Sequence, residues 1–105
     1  MVKVFVKYQN NEIVELTIQG HANYDEKGKD IVCAAVSSIV ITSVNGIMRL
    51  QKESIDFQET DAEINIKIKK QDEITKTLIF NMFVLLDELA NQYPKNILIR
   101  RCQND

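Results

Sequence analysis

The sequence predicts an α/β (α+β) fold, a β-β-α-β-β-α-β sandwich of one mostly antiparallel or mixed sheet with two helices. Three observations carry that expectation. Two long segments have apolar residues at helical spacing, several short segments alternate apolar with polar residues, and turn-forming residues separate the short segments. The chain has 105 residues, 45% of them hydrophobic and 27% charged, with no linker, repeat or low-complexity tract. Residues 1–105 therefore read as a single domain with enough apolar surface for a core.

Val2, Val4, Val6 and Tyr8 alternate with Lys3, Phe5 and Lys7, a strand pattern over residues 2–8. Gln9-Asn10-Asn11 supplies a turn, and Val14, Leu16 and Ile18 then oppose Glu15, Thr17 and Gln19, so the first two strands form a hairpin ending at Gly20. Residues 21–29 are polar, without apolar periodicity, and read as a loop. Asp30 suits a helix N-cap, and the helix it starts runs to about Leu50. Its many β-branched residues would suit a strand, but twenty residues is too long for one. Apolar residues cover most of the circumference around a polar stripe of Ser38, Thr42, Asn45 and Arg49, which predicts a helix buried on several sides.

Strands are predicted next around 54–58 and 62–69, joined at Glu59-Thr60-Asp61, with Ile64, Ile66 and Ile68 on one face. From Asp72 to Gln92 the spacing of Ile74, Leu78, Met82, Leu85, Leu86 and Leu89 is helical, and acidic residues at the start suit the helix dipole. Pro94 stops that helix, and residues 96–102 form a last strand. The basic run Lys67, Lys69, Lys70 and the pair Arg100-Arg101 read as solvated faces or edge protection.

A net charge of −2 gives no footprint for nucleic acid, which requires clustered Lys and Arg. The longest apolar run, Ile31 to Met48, is interrupted by Ser37, Ser38, Thr42, Ser43 and Asn45 and reads as too polar for a membrane span. Cys33 and Cys102 form no spacing pattern, and the chain begins without a signal-peptide profile, so reduced thiols and a cytoplasmic location are expected. One histidine and two cysteines cannot close a tetrahedral zinc site without carboxylates; neither metal nor cofactor is expected.

The chemistry-bearing pair is His21, the only histidine, and Cys33, twelve residues later at a helix start. A thiolate is the attacking species, and a helix N-terminus favours it through unpaired amides and the dipole. The same amides are expected to hold an oxyanion. A histidine can take the thiol proton and return it to a leaving amine. Asp30, Cys33 and Ser37 share one helix face, and Ala34 and Ala35 leave space beside the thiol. Taken singly, a cysteine on an apolar helix also suits a core position, a histidine at a strand end suits a surface, and Ser37 suits a hydrogen bond within its own helix. Asp30 suits either capping or orienting His21, and Cys102 reads as incidental.

The blocks Gly20-His21-Ala22 and Gly28-Lys29-Asp30-Ile31-Val32-Cys33-Ala34-Ala35-Val36-Ser37 resemble the signature of the ribosomal-processing cysteine protease family, often called Prp. The resemblance extends to the opening MVKVFV, the long apolar helix and the late Tyr93-Pro94-Lys95. It departs at Gln9-Asn10-Asn11, where the resemblance would lead one to expect glycine. It implies a homodimeric cysteine endopeptidase that removes the N-terminal extension of a large-subunit ribosomal protein. His21 would be the catalytic base and Cys33 the nucleophile, while Gly20, Ala22, Gly28, Asp30, Ala34 and Ser37 match the surrounding motif as supporting or substrate-binding positions. The loop 21–29 is expected to close over an extended peptide and complete the dyad. Two other readings remain open at this point: a non-catalytic ribosome-associated binding module, and a redox-sensing thiol protein.

Overall fold

The computed structural model describes residues 1–20 and 30–103. The elements are β1 (Val2–Gln9), β2 (Glu12–Gln19), α1 (Ile31–Leu50), β3 (Ile55–Glu59), β4 (Glu63–Ile68), α2 (Glu73–Gln92) and β5 (Ile97–Gln103). One five-stranded sheet has the order β3-β4-β2-β1-β5. Its pairs are antiparallel except β1 with β5, which run parallel. The predicted element order and mixed sheet therefore describe the fold, with boundaries moved by one or two residues.

The β1–β2 turn is closed by Asn10 and Asn11, both in the left-handed region at φ 52° and 64°. A two-residue turn with both φ values positive matches the twist of the flanking strands, and asparagine is among the few residues besides glycine that adopt it readily. The hairpin register then breaks. Lys7 faces Glu15 but Tyr8 faces Ile13, which leaves Val14 as the extra residue of a bulge. The bulge changes which side chains point inward: Ile13, Leu16 and Ile18 are buried, whereas Val14, expected on the apolar face, is only half-buried.

Val2, Val4 and Val6 point into the core while Lys3, Phe5 and Lys7 are exposed, so one sheet face carries the helices. Val32, Val36, Val40, Val44 and Ile47 form the buried stripe of α1, and Thr75, Ile79, Met82, Phe83 and Leu86 that of α2. Each fully buried aliphatic side chain contributes roughly 1.5–3 kcal/mol, and this packing holds the β-branched α1 in helical form. The burial of α1 is narrower than the sequence predicts. Ser38, Thr42, Asn45 and Arg49 are exposed as expected, but so are Ile31, Met48 and Leu50, because a two-layer fold covers one face and one flank. By length and composition α1 is apolar enough to cross a membrane, contrary to the sequence reading, yet its valine stripe is packed into the core. On α2, Ile74 and Leu85 are exposed, and Phe83 and Ile79 take the inward positions. Arg101 lies 5.0 Å from the Phe83 ring centre and 3.6 Å from Asp87, so it ties β5 to α2 as well as meeting solvent.

Among the described residues, the polar side chains of Ser54 and Thr75 are buried, and one carboxylate satisfies both hydroxyls. Asp72, the N-cap of α2, accepts from Thr75 N at 2.9 Å, from Thr75 Oγ1 at 3.0 Å and from Ser54 Oγ. The Ser54 hydroxyl, followed by the Thr75 amide, holds the Asp72 carboxyl below its ordinary range. A lowered folded-state value means stability that is fully present above the unfolded value near pH 4 and lost as pH falls through the lowered one. Asp72→Asn should therefore flatten the acid limb of the thermal-stability profile below about pH 4. A melting series from pH 2 to 6 checks this; an unchanged acid limb would refute it.

Candidate active site

The last residue of β2's hairpin is followed by Gly20, at φ +86°. A side-chain carbon there would also lie 2.5 Å from the Met1 carbonyl oxygen, so β1's first peptide and Gly20 occupy space that only glycine leaves open. His21, Ala22 and Gly28 lie outside the described residues, as does the expected closing loop 21–29.

Asp30 caps α1 from an extended conformation (φ −75°, ψ 100°). Its Oδ1 accepts from the amides of Val32 and Cys33, each at 3.0 Å, and its carbonyl accepts from Ala34 N at 3.2 Å. Its second oxygen, Oδ2, accepts from Cys33 Sγ at 3.3 Å. The cap expected from the sequence is thus present. The expected oxyanion role of the first-turn amides is not met at Val32 and Cys33, because their N–H groups are engaged by Asp30.

Cys33 is half-buried and packs against the core, with its thiol side bordering a cleft of about 240 Å³. Val2, Ile18, Val36 and Ile64 give the cleft its apolar lining, and Ser37, one turn after Cys33, lies on the same wall. Asp30, Cys33 and Ser37 share a helix face, as their spacing predicts. Ala34 is exposed and does not line the cleft.

The opposite wall is the β3–β4 turn, Glu59 to Glu63, which the sequence marks as a turn but not as part of the site. Thr60 organises it: Oγ1 accepts from Ala62 N at 3.2 Å and Glu63 N at 3.1 Å, and Thr60 N donates to Glu63 O at 2.9 Å. Gln19 anchors it to β2 by donating from Nε2 to Glu63 Oε2 at 2.8 Å. Among the described residues that line the cleft, Glu59, Asp61 and Glu63 are acidic and none is Lys or Arg. A concave cleft with Cys33 on one wall, an apolar lining and an acidic rim suits an extended peptide.

Among the described residues no group of three or more His, Cys, Asp or Glu side chains could hold a metal ion. Cys102 is exposed on β5, in register with Lys7 on the sheet's outer face. A separate groove of about 200 Å³, lined by Tyr8, Ile13, Ile79 and Phe80 among others, has no cysteine among its described lining residues.

The family of cysteine protease Prp matches residues 1–98. The chain belongs to that family. It is 37% identical over 86 residues to the ribosomal processing cysteine protease Prp of Mycoplasma genitalium, covering 80% of this chain and 84% of the relative. The Prp of Mycoplasma pneumoniae is 35% identical over 100 residues, 92% of this chain and 91% of the relative. The structure resembles that of Prp from S. aureus in complex with a covalently linked product peptide, with a TM-score of 0.90 and 27% identity over 96% of this chain and 99% of the other. Prp from S. aureus with a substrate peptide gives a TM-score of 0.80 at 25% identity, over 96% and 99% of the two chains. Membership in the Prp family makes this chain a cysteine protease, which sets aside the non-catalytic and redox-sensing readings.

Proposed function

We propose that this Prp-family protease removes the N-terminal extension of a large-subunit ribosomal protein in the cytoplasm, with Cys33 as nucleophile and His21 as general base. The observation that carries the reading is the placement of Cys33. It is the one cysteine at a helix start beside a peptide-sized cleft, in a fold whose S. aureus relative holds a covalently linked product peptide. The relatives named ribosomal processing proteases supply the substrate class.

In this mechanism His21 takes the proton from Cys33 Sγ, and the thiolate adds to the scissile carbonyl carbon. The tetrahedral intermediate collapses, the C–N bond breaks, and the proton passes from imidazolium to the leaving amine. Water then adds to the thioester with His21 as base, releasing the carboxylate product and restoring the thiol. The apolar lining holds the peptide, while the Gln19–Glu63 bond ties the β3–β4 turn to β2.

The test is incubation with a synthetic peptide spanning the extension and the first mature residues, read by mass spectrometry. A single internal cut is expected; an intact peptide would end the substrate assignment.

We also infer a homodimer. The exposed Ile31, Met48 and Leu50 of α1, with Phe80 of α2 at 63% exposure, are apolar surface that a second copy would cover. Analytical ultracentrifugation at micromolar concentration should give twice the monomer mass, and a monomer there removes the inference.

A further inference from the structure

Asp30 does more in this structure than cap a helix. We propose that Asp30 is a positioning residue that opposes ionisation of Cys33, through the hydrogen bond from Cys33 Sγ to Asp30 Oδ2. The proposal rests on the reading of Cys33 as nucleophile and adds how that nucleophile is restrained.

The proton in the 3.3 Å contact belongs to sulfur. Oδ1 of the same carboxylate accepts two backbone amides, and hydrogen bonds of that kind favour the ionised carboxylate. A charged carboxylate can only accept, so the thiol donates. Ionising Cys33 in place would remove that bond and set two negative charges side by side. The helix N-terminus, the usual counterweight, is weakened because the Val32 and Cys33 amides already face Asp30.

Among the described residues, the other charged groups that border the cleft from packed elements are Glu59, Asp61 and Glu63 of the β3–β4 turn, and they act in the same sense. The β1 and β2 residues that border it, Val2, Ile18 and Gly20, are neutral. His21, Asp25, Glu26, Lys27 and Lys29 belong to the segment outside the described residues. The carboxylate therefore favours the thiol over the thiolate. On ionisation the S–H bond breaks, the proton moves to a base, and the electron pair stays on sulfur.

The experiment measures the rate of iodoacetamide alkylation of Cys33 against pH, read by peptide mass with Cys102 as internal control. The full chain is used as wild type, Asp30→Asn, His21→Ala and the double variant. Asparagine caps a helix about as well as aspartate, so the substitution removes the charge and leaves the cap. Loss of the carboxylate should lower the midpoint for Cys33 by about one pH unit in both histidine backgrounds, with Cys102 unchanged. A midpoint that stays or rises on Asp30→Asn overturns the proposal; a rise present only with His21 would mean that the carboxylate serves the imidazolium. Should Asp30→Asn melt early, Asp30→Ser, another uncharged cap, gives the same readout. Alkylation requires no peptide cleavage, so an intact ribosomal peptide beside a shifted midpoint would fault the substrate and leave Asp30's role standing.

Discussion

Cys33→Ala is expected to lower cleavage of the ribosomal peptide by at least about 10⁴-fold while leaving the fold intact. The loss follows from chemistry: without sulfur no thioester forms, and only uncatalysed or binding-assisted hydrolysis remains. The fold survives because Cys33 is half-buried in the first turn of α1, and alanine is a better helix former. Asp30 keeps both of its amide partners and so continues to cap the helix. Cys33→Ser separates nucleophile from shape. Its hydroxyl can keep the contact to Asp30 but ionises too poorly to attack, so it should be as inactive as alanine. His21→Ala should cost less, about 10²–10⁴-fold near neutral pH, because hydroxide can still withdraw the thiol proton without the imidazole. That deficit should shrink as pH rises. Cys102→Ala, on the outer sheet face, should cleave as the wild type does. Undiminished cleavage by Cys33→Ala would end the assignment of the nucleophile.

What the sequence made legible, and what it hid, follows the range of the forces involved. Local signals were sufficient where one residue decides the geometry. Asp30 before an apolar run is a cap because its carboxylate reaches amides two and three residues on, and the structure places those bonds at 3.0 Å. Asn10-Asn11 between two alternating runs is a hairpin because both residues tolerate positive φ. Parity along β2 was misread because a bulge at Val14 depends on the partner strand's register, which no window of β2 contains. The same reason moved the buried stripe of α2 from Ile74 and Leu85 to Ile79 and Phe83: a helix with apolar residues on a wide arc turns to the face its sheet offers.

The site divides along the same line. Its nucleophilic wall, Cys33 and Ser37 on one face, is readable from helical spacing. Its other wall comes from Glu59–Ile64, more than twenty residues later in the chain, and reaches the cleft only because β4 pairs with β2. Gln19 opposite Glu63 in that register is what a sequence reader would have needed to know. The acidic rim of the cleft was for that reason invisible, although each of its residues was in view.

Gly20→Ala is expected to destabilise the protein by about 2–3 kcal/mol, a fall in melting temperature of roughly 10–20 °C for a domain of this size. Two independent penalties add. At φ +86° an L side chain is strained, and the new carbon would meet the Met1 carbonyl oxygen at 2.5 Å. The second has no cheap escape. Met1's peptide leads directly into Val2, whose N–H donates to Asn96 O at 2.8 Å and whose side chain, 1% exposed, lines the cleft. Backbone movement there disturbs the β1–β5 junction and the cleft lining beside Cys33 together, so activity should fall with stability. Gly20→Asn tells the two penalties apart. Asparagine relieves much of the positive-φ strain but keeps the carbon that collides, so it should be nearly as harmful as alanine if close approach dominates. Gly46→Ala is the control. That glycine lies inside α1, where an added carbon would sit 3.8 Å from Leu78 Cδ1 in ordinary contact, and it should gain about 0.5–1 kcal/mol. Thermal melts of the three variants decide the matter: Gly20→Ala within about 0.5 kcal/mol of wild type would mean that the Met1 peptide yields freely, and that glycine at this position serves the segment after it rather than the strand beside it.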